Sequence, residues 1–377
     1  MFELTDEQKE IQRLARDFTK KEIIPVAAEY DKKAEMPWPI IQKAFDIGLW
    51  NLNVPEKYGG QDVDCLTEVL IYEEIAYGCL GVYGAFGGTS LALTPLLLSG
   101  TEEQKEKYLT GFTKSAKLAA FALTEPNAGS DTSAVSTRAQ KVGDEYIING
   151  VKCFITHGGI ADLHTVFASI DRSKGIKGLT AFIIPAGATG LSMGKKEDKM
   201  GDRASHIAEV LLEDVRVPVA NRLGNEGEGF KIAMRTLDIT RTTIAAAAVG
   251  VAQRAVDEAV RYAKQRVQFG KTIAEQQAIQ FMLADMAMSV MASRSLVWQA
   301  AAKVDAGQVD GMLSATAKCV ASDTAMKVTV DALQIFGGYG YMKEYPMEKL
   351  MRDAKITQIY EGTNQIQRQI IAGYLLK

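Results

Sequence analysis

The chain has 377 residues, of which 47% are hydrophobic and 24% charged, and its net charge is −3. That length and composition support two or three domains with full cores, and the near-neutral balance excludes general binding to nucleic acid or to a charged membrane surface. The cysteines, Cys65, Cys79, Cys153 and Cys319, are scattered and form no CxxC pair, which leaves no zinc or disulfide framework and fits a reducing compartment.

The opening from Met1 to Gln8 is acidic and polar. It has the character of neither a secretory signal nor a transit peptide, so a cytoplasmic bacterial or archaeal protein is expected. The most apolar windows, near Leu91 to Leu98 and Ile244 to Val251, read as too short to span a bilayer.

Residues 1–117 read as a helical domain. Thr5-x-x-Gln8 is a capping-box pattern, followed by Ile11, Leu14, Ala15 and Phe18 at helical spacing. Thr101 and Gln104 repeat that start signal. Pro37, Pro39, Pro55 and Gly59-Gly60 mark breaks, and Cys65 to Ala76 is another helical run. Gly81, Gly84, Gly87 and Gly88 then interrupt the pattern. Glycine costs roughly 1 kcal/mol against alanine within a helix, so these four signal either tight helix packing or room for a ligand.

Residues 118–223 read as a β domain, a barrel or sandwich between helical parts. Leu118 to Leu123 is a short apolar run before the polar loop Thr124 to Asp131. Gly143-Asp144 joins two strand candidates, and Asn149-Gly150 is a second hairpin signal. Leu179 to Ile184 and Ile207 to Leu212 are further strands.

Residues 224–377 read as a four-helix bundle built from Phe230–Lys264, Ala274–Val304, Gly311–Ile335 and Asn364–Leu376. These helices carry enough apolar residues to bury a second face, which predicts a homo-oligomer. The fold class is therefore α+β and multidomain, in the order helical domain, β-barrel, helical bundle.

Several chemistries drop out. His157, His164 and His206 have no metal-site spacing and no hydrolase partners. Phe269-Gly270-Lys271-Thr272 resembles the end of a phosphate loop, but Gln265 stands where that loop needs glycine. No Gly-x-Gly-x-x-Gly follows a strand, so a Rossmann nicotinamide site is not expected. No metal site is predicted. The chain then either borrows its chemistry from another cofactor or performs none.

The stretch Gln358 to Arg368 draws attention because Glu361 lies among apolar and aromatic neighbours and is followed by Gly362, Thr363 and Asn364. Thr363 and Asn364 are N-cap types, so a closing helix would start there with its first N–H groups facing an anion. Glu361 is either a ligand-touching carboxylate or a surface residue ahead of a capped helix.

Seven motifs in register turn this into a resemblance. They are Leu123-Thr124-Glu125-Pro126-x-Ala128-Gly129-Ser130-Asp131, Asn149-Gly150-x-Lys152-x-Phe154-Ile155-Thr156, and Glu213-Asp214-Val215-x-Val217-Pro218 with Leu223-Gly224. Then follow Asp238-x-x-Arg241, Arg266-x-x-Phe269-Gly270, Gln334-x-x-Gly337-Gly338-x-Gly340 and Tyr360-Glu361-Gly362-Thr363. Over essentially its whole length the chain resembles the acyl-CoA dehydrogenase family, with the butyryl-CoA type as the nearest pattern. The resemblance implies a homotetramer, a dimer of dimers, that holds FAD, dehydrogenates a short- to medium-chain acyl-CoA (branched or aryl ones included) and passes electrons to an electron-transfer flavoprotein.

It also implies residue roles. Glu361 falls on the general base, helped by its own backbone N–H as a donor to the thioester oxygen, with Tyr360 lining a dry pocket. Some relatives carry the base at the position of Thr240, which cannot do that work here. Phe121, Ala122, Leu123, Thr124, Gly129 and Ser130 would approach the flavin ring, and Phe154, Ile155 and Thr156 would cover its other face. Many relatives have Trp where this chain has Phe154. Arg266, Phe269 and Gln277 would hold the diphosphate and adenine end, and Gln334, Gly337 and Gly338 would reach the FAD of a neighbouring subunit. Thr363 and Gln365 would meet FAD at the closing helix, while Ser130, Asp238, Arg241, Tyr360 and Gly362 would meet the substrate. Arg368 fits a structural role better than a ligand role.

The family's acyl tail lies near residues 83–91, where Gly87 and Gly88 are expected to leave space. The same site run backwards would make a 2-enoyl-CoA reductase acting on butenoyl- or aryl-acryloyl-CoA. An oxidase, a decarboxylating relative and a scaffold without chemistry fit less well: oxidase relatives are longer, segment 83–91 carries no cation, and the FAD set is complete.

Overall fold

The computed structural model describes residues 3–376; Met1 and Phe2, where the acidic opening begins, and Lys377 lie outside the described residues. Helices come first: α1 (Asp6–Phe18), α2 (Ala27–Lys33), α3 (Trp38–Asp46), α4 (Cys65–Gly78), α5 (Leu80–Ser99) and α6 (Glu102–Lys114). The capping boxes at Thr5/Gln8 and Thr101/Gln104 both form, each side chain satisfying an otherwise orphaned N–H.

The glycines of α5 do not break it. The helix runs straight through them because each lets something come close. A Cβ at Gly81 would lie 2.9 Å from Ala204, one at Gly84 would lie 2.7 Å from Ser205 Oγ, and one at Gly88 would lie 2.5 Å from Thr156 Cγ2. Helix α5 is also long and apolar enough to cross a bilayer by length and composition, contrary to the sequence reading. Within that window 78% is buried inside the protein, which marks a core helix.

The middle of the chain is one sheet of eight strands: β1 (Ala119–Ala122), β2 (Arg138–Val142), β3 (Glu145–Thr156), β4 (Leu163–Ser169), β5 (Leu179–Pro185), β6 (Leu191–Lys196), β7 (Ile207–Pro218) and β8 (Arg222–Leu223). The order is β6-β7-β3-β2-β4-β5-β8, with β1 parallel to β4. Gly143-Asp144 makes the predicted turn between β2 and β3. Asn149-Gly150 does not turn the chain. Strand β3 continues through it, with a register shift against β7 between Ile148 and Gly150. A Cβ at Gly150 would lie 2.4 Å from Thr137 Oγ1, so the glycine permits a close approach within a strand. Asn149 exchanges two hydrogen bonds with Asp214, both at 2.9 Å, which ties β3 to β7 at the bulge.

The last part begins with α7 (Gly229–Gln265), followed by a small hairpin of β9 (Val267–Gln268) and β10 (Lys271–Thr272). Then come α8 (Gln277–Asp305), α9 (Gly311–Phe336), α10 (Met347–Thr357) and α11 (Asn364–Leu375). Helix α10 was absent from the sequence reading, because Gly337–Gly340 and Pro346 disguise its approach. Helix α7 packs on α9, α4, α8 and α5 and so joins both helical parts. One core lies between α1, α4, α5 and the bundle and reaches into the sheet. A second, with Leu93, Leu109, Phe112, Phe167, Ile183 and Leu223, joins α5 and α6 to the strands.

Candidate active site

The turn between α10 and α11 carries Glu361 at φ +50° and Gly362 at φ +94°. A left-handed conformation costs a non-glycine residue about 1–2 kcal/mol, so the surroundings must impose it. They do so through the carbonyls. Gln367 Nε2 donates to Glu361 O at 3.1 Å and to Gly362 O at 2.8 Å, and Arg241 Nε donates to Glu361 O at 3.4 Å. Buried Lys318, on α9, donates to Gly362 O and to Asn364 Oδ1, both at 2.9 Å. Asn364 in turn donates to Ser322 Oγ at 2.9 Å and to Asp323 Oδ1 at 2.7 Å. Asp323 also takes Gln358 Nε2 at 2.6 Å and Arg368 at 2.7 Å. The turn is thereby fastened to α9 at both ends, and Arg368 has a structural partner. Thr363 caps α11, accepting from Ile366 N at 3.3 Å.

The Glu361 carboxylate accepts from Thr240 Oγ1 at 2.8 Å. Burial pushes its pKa up to about 7, against the opposing pull of the Thr240 hydroxyl and the positive charges of Arg241 and Lys318. Among the described residues, no acceptor takes the N–H of Glu361. The site therefore joins a carboxyl group poised near neutrality to a free backbone donor. That pairing can remove a proton and stabilise negative charge developing nearby. Tyr360 has a buried hydroxyl with no hydrogen-bond partner among the described residues. Asp238, one turn earlier on α7, holds buried Arg241 at 2.6 Å, and Arg241 lies next to Thr240.

The predicted cofactor residues form two groups. In the first, Phe154 sits at φ +57° with 65% of its surface exposed, beside half-buried Thr156. Gly129 and Ser130 lie on an exposed loop, and nothing stands within 4 Å of where a Gly129 side chain would begin. Ala122, Leu123 and Ile155 are buried, while Phe121 and Thr124 are half-buried. Phe121 packs on Phe167, and the Leu123 carbonyl is already taken by Lys152 Nζ at 3.0 Å. That lysine forms a fully buried pair with Glu125 at 2.7 Å and thereby links the first two sequence motifs.

The second group gathers beyond the end of α7. Arg266 stacks on Tyr339 at 5.3 Å, and a cleft of about 560 Å³ is lined by Arg266, Gln268, Ile273, Phe336, Gly337 and Gly338. Phe269 stands 95% exposed at the hairpin tip, and Gln277 and Gln334 are exposed. Nothing lies within 4 Å of the missing side chains of Gly337 and Gly338. Thr240 and Arg266 are roughly 39 Å apart along α7 at 1.5 Å per residue. The sequence reading gave Arg266 and Gly337–Gly338 to different FAD molecules, but here they share one cleft. Gln365 is exposed on the first turn of α11. The exposed aromatic beside a hydroxyl donor suits a planar ring, and the open glycine-lined cleft with an arginine suits an anionic group.

Sequence reasoning missed Lys318, Gln367 and Asn364. The signal for Lys318 was a lone lysine among the small residues Ala315, Ala317, Cys319 and Ala321. The three histidines are buried and structural: His157 Nδ1 meets Ala119 O at 2.9 Å, His164 Nε2 accepts from Gly159 N at 3.1 Å, and His206 Nε2 meets Gly158 O at 3.1 Å.

Comparison with known proteins matches the family models of the acyl-CoA dehydrogenase N-terminal domain over residues 5–116, middle domain over 120–215 and C-terminal domain over 227–376. The 3-(aryl)acrylate reductase of Clostridium sporogenes is 48% identical over 99% of both chains. The structure of butyryl-CoA dehydrogenase from Megasphaera elsdenii superposes with a TM-score of 0.98 at 48% identity, covering both chains fully. A chain solved in work on the electron transferring flavoprotein of Acidaminococcus fermentans gives 0.98 at 47% identity, again over both full lengths.

Proposed function

The chain belongs to the acyl-CoA dehydrogenase family, and from this we propose that it removes the α-proton and β-hydrogen of a short-chain acyl-CoA to give the trans-2-enoyl-CoA. The observation that carries this reading is the Glu361 carboxylate, raised to about 7, held at positive φ and facing Thr240. A carboxylate at an ordinary pKa is too weak a base for a carbon acid beside a thioester. Burial narrows that gap, and the free Glu361 N–H supplies a donor for the thioester oxygen as the enolate develops.

FAD, when bound, supplies the acceptor for the hydride that leaves the β-carbon. Thr124, Gly129, Ser130, Phe154 and Thr156 would hold its ring, and Thr363 and Gln365 would meet it at the start of α11. Arg266, Phe269, Gln277, Gln334, Gly337 and Gly338 would hold the diphosphate and adenine end from a second copy, because they lie a helix length away. Phe281, Met288 and Met291, exposed along one face of α8, support burial of that face in a homotetramer. Asp238 and Arg241 would orient the thioester end of the substrate. Electrons would pass to an electron-transfer flavoprotein.

A second reading is the reverse reaction, reduction of a 2-enoyl-CoA. The identity to an aryl-acrylate reductase favours keeping it, and one base with one flavin serves both directions.

Anaerobic visible spectroscopy during titration with saturated acyl-CoAs tests the proposal. Loss of flavin absorption with butyryl-CoA is expected, and Glu361→Gln should keep the colour while abolishing the bleaching. A flavoprotein that no saturated acyl-CoA reduces, but that oxidises on adding an enoyl-CoA after chemical reduction, would support the reverse reading instead.

A further inference from the structure

Within residues 154–157 two backbones are left-handed, Phe154 at φ +57° and His157 at φ +60°. Such strain persists only where the surroundings impose it. At His157 they do. Its N–H donates to His206 O at 2.9 Å, and its carbonyl accepts from Ile160 N at 3.1 Å and Ala161 N at 3.0 Å. Its side chain is fully buried, and Nδ1 meets Ala119 O at 2.9 Å. Helix α5 makes room for this corner at Gly88, where a Cβ would lie 2.5 Å from Thr156 Cγ2 and 3.3 Å from His157 Cε1.

The bond to Ala119 joins two runs of chain that lie side by side. Residues 119–124 and 153–157 pass in opposite directions: Cys153 N donates to Thr124 O at 3.0 Å at one end, and His157 reaches Ala119 at the other. Lys152 Nζ reinforces the first tie through Leu123 O at 3.0 Å. Between the ties β1 pairs with β4 rather than with β3, so His157 sets the spacing at the Ala119 end. These are the two runs expected to face the flavin ring, through Phe121 to Thr124 on one and Phe154 to Thr156 on the other.

The chemistry of the imidazole fixes which nitrogen makes the tie. A carbonyl only accepts, so Nδ1 carries the proton. Burial keeps the ring neutral, its pKa pushed down to about 4, with His206 and His164 adding to the effect and the Ala119 carbonyl opposing it. Nε2 keeps a lone pair with no hydrogen-bond partner among the described residues. The side chain therefore works through one donor, aimed at Ala119.

We propose that His157 is a positioning residue for the flavin, whose Nδ1–H bond to Ala119 fixes the gap between the two runs of chain that frame the ring. This rests on the FAD reading above and adds a residue outside the set expected to touch the cofactor.

The test uses the FAD-loaded enzyme and measures the rate of flavin release on dilution, at a temperature below every Tm, together with the flavin absorption spectrum and the Tm itself. His157→Asn puts an amide nitrogen where Nδ1 stands and tolerates the left-handed backbone. His157→Gln puts its nitrogen nearer to Nε2. His157→Gly relieves the backbone strain but has no side-chain donor. The asparagine variant should release FAD at the wild-type rate. The glutamine and glycine variants should release it roughly tenfold faster, the scale of one buried carbonyl left unpaired, and should shift the flavin absorption. If one of these two fails to fold, the other carries the comparison with asparagine. Glutamine and glycine variants that melt lower yet keep the wild-type release rate and spectrum would show a role in stability alone and overturn the inference. An asparagine variant that releases FAD as fast as the glutamine one would overturn it too. Failure of the FAD reading has a different signature, a wild-type protein that binds no FAD, and it would remove this inference with it.

Discussion

The Thr240 hydroxyl donates to Glu361 Oε2 at 2.8 Å, so the hydroxyl of one long helix stands against the carboxylate proposed as the base. A donor to a carboxylate favours its charged form and opposes the rise that burial imposes. Thr240→Val should therefore raise the Glu361 pKa. A hydrogen bond to a charged group is worth about 1.5–3 kcal/mol, so the acid limb of the kcat–pH profile should move up by about one to two units. Activity at pH 7 should fall and recover at higher pH, while Thr240→Ser keeps the wild-type limb. An unmoved limb in the valine variant would show that the contact does not tune the base.

Lys318 acts on the same group from the other side. Its ammonium holds Gly362 O and Asn364 Oδ1, and burial lowers its pKa to about 8, with Glu361 and Asp323 opposing. The charges that face it are Glu361 on the turn, Arg241 on α7, and Cys319 and Asp323 on its own helix. Lys318→Met removes a cation that stabilises the carboxylate and loosens the carbonyl clamp. It should lower kcat by about tenfold and lift the acid limb. In wild type the clamp loses its charge above about pH 8, which predicts an alkaline decline that the methionine variant lacks. A purely structural role would lower activity without altering either limb.

Much of this architecture was legible beforehand, and the gaps have physical causes. Thr5, Thr101 and Thr363 announced their helices because capping is a local interaction between residues three apart. Gly143-Asp144 announced its turn for the same reason. Asn149-Gly150 misled, since Asn149 serves Asp214, 65 residues away, and Gly150 serves the approach of Thr137. The α5 glycines were ambiguous between packing and space, and only the facing residues, Ala204, Ser205 and Thr156, decide between them. Glu361 was found from its motif, whereas its fastening to Lys318 on α9 is a long-range contact that no local pattern encodes.

The buried pair of Lys152 and Glu125 supports the strand end beneath the predicted flavin ring. Glu125 also accepts from Ser136 N at 2.6 Å and Thr137 N at 2.9 Å, and Lys152 holds the Leu123 carbonyl. Burial raises the Glu125 carboxyl and the nearby Lys152 charge and hydrogen bonds outweigh it, holding the carboxyl down at about 2, below its ordinary 4.5. A depressed carboxyl contributes stability that is present above pH 4.5 and is lost as pH falls through about 2. Lys152→Met strands a buried charge and should cost about 3–5 kcal/mol at neutral pH. Urea titrations at pH 7 and pH 3 should show the variant's deficit shrinking at the lower pH. A deficit that is equal at both would mean that packing, not the ion pair, sets it.

Thr240, which touches Glu361, and Arg266, at the C-terminal end of α7, are roughly 39 Å apart by helix rise. If Glu361 and Arg266 touch one cofactor, they come from two copies of the chain, and this can be tested by complementation. Glu361→Gln lacks the proposed base but keeps its Arg266 cleft. Arg266→Ala keeps Glu361 but loses the guanidinium that stacks on Tyr339 in that cleft. In a mixed pair with two-fold symmetry of arrangement, one site combines the intact Glu361 of one copy with the intact Arg266 of the other, and the second site carries both defects. Random pairing makes half of all pairs mixed, so co-expression should restore about a quarter of wild-type activity from two variants that are each impaired alone. If the two groups instead served a cofactor within one chain, every site in the mixture would carry one defect or the other. Activity would then equal the average of the two parents, whatever the mixing ratio.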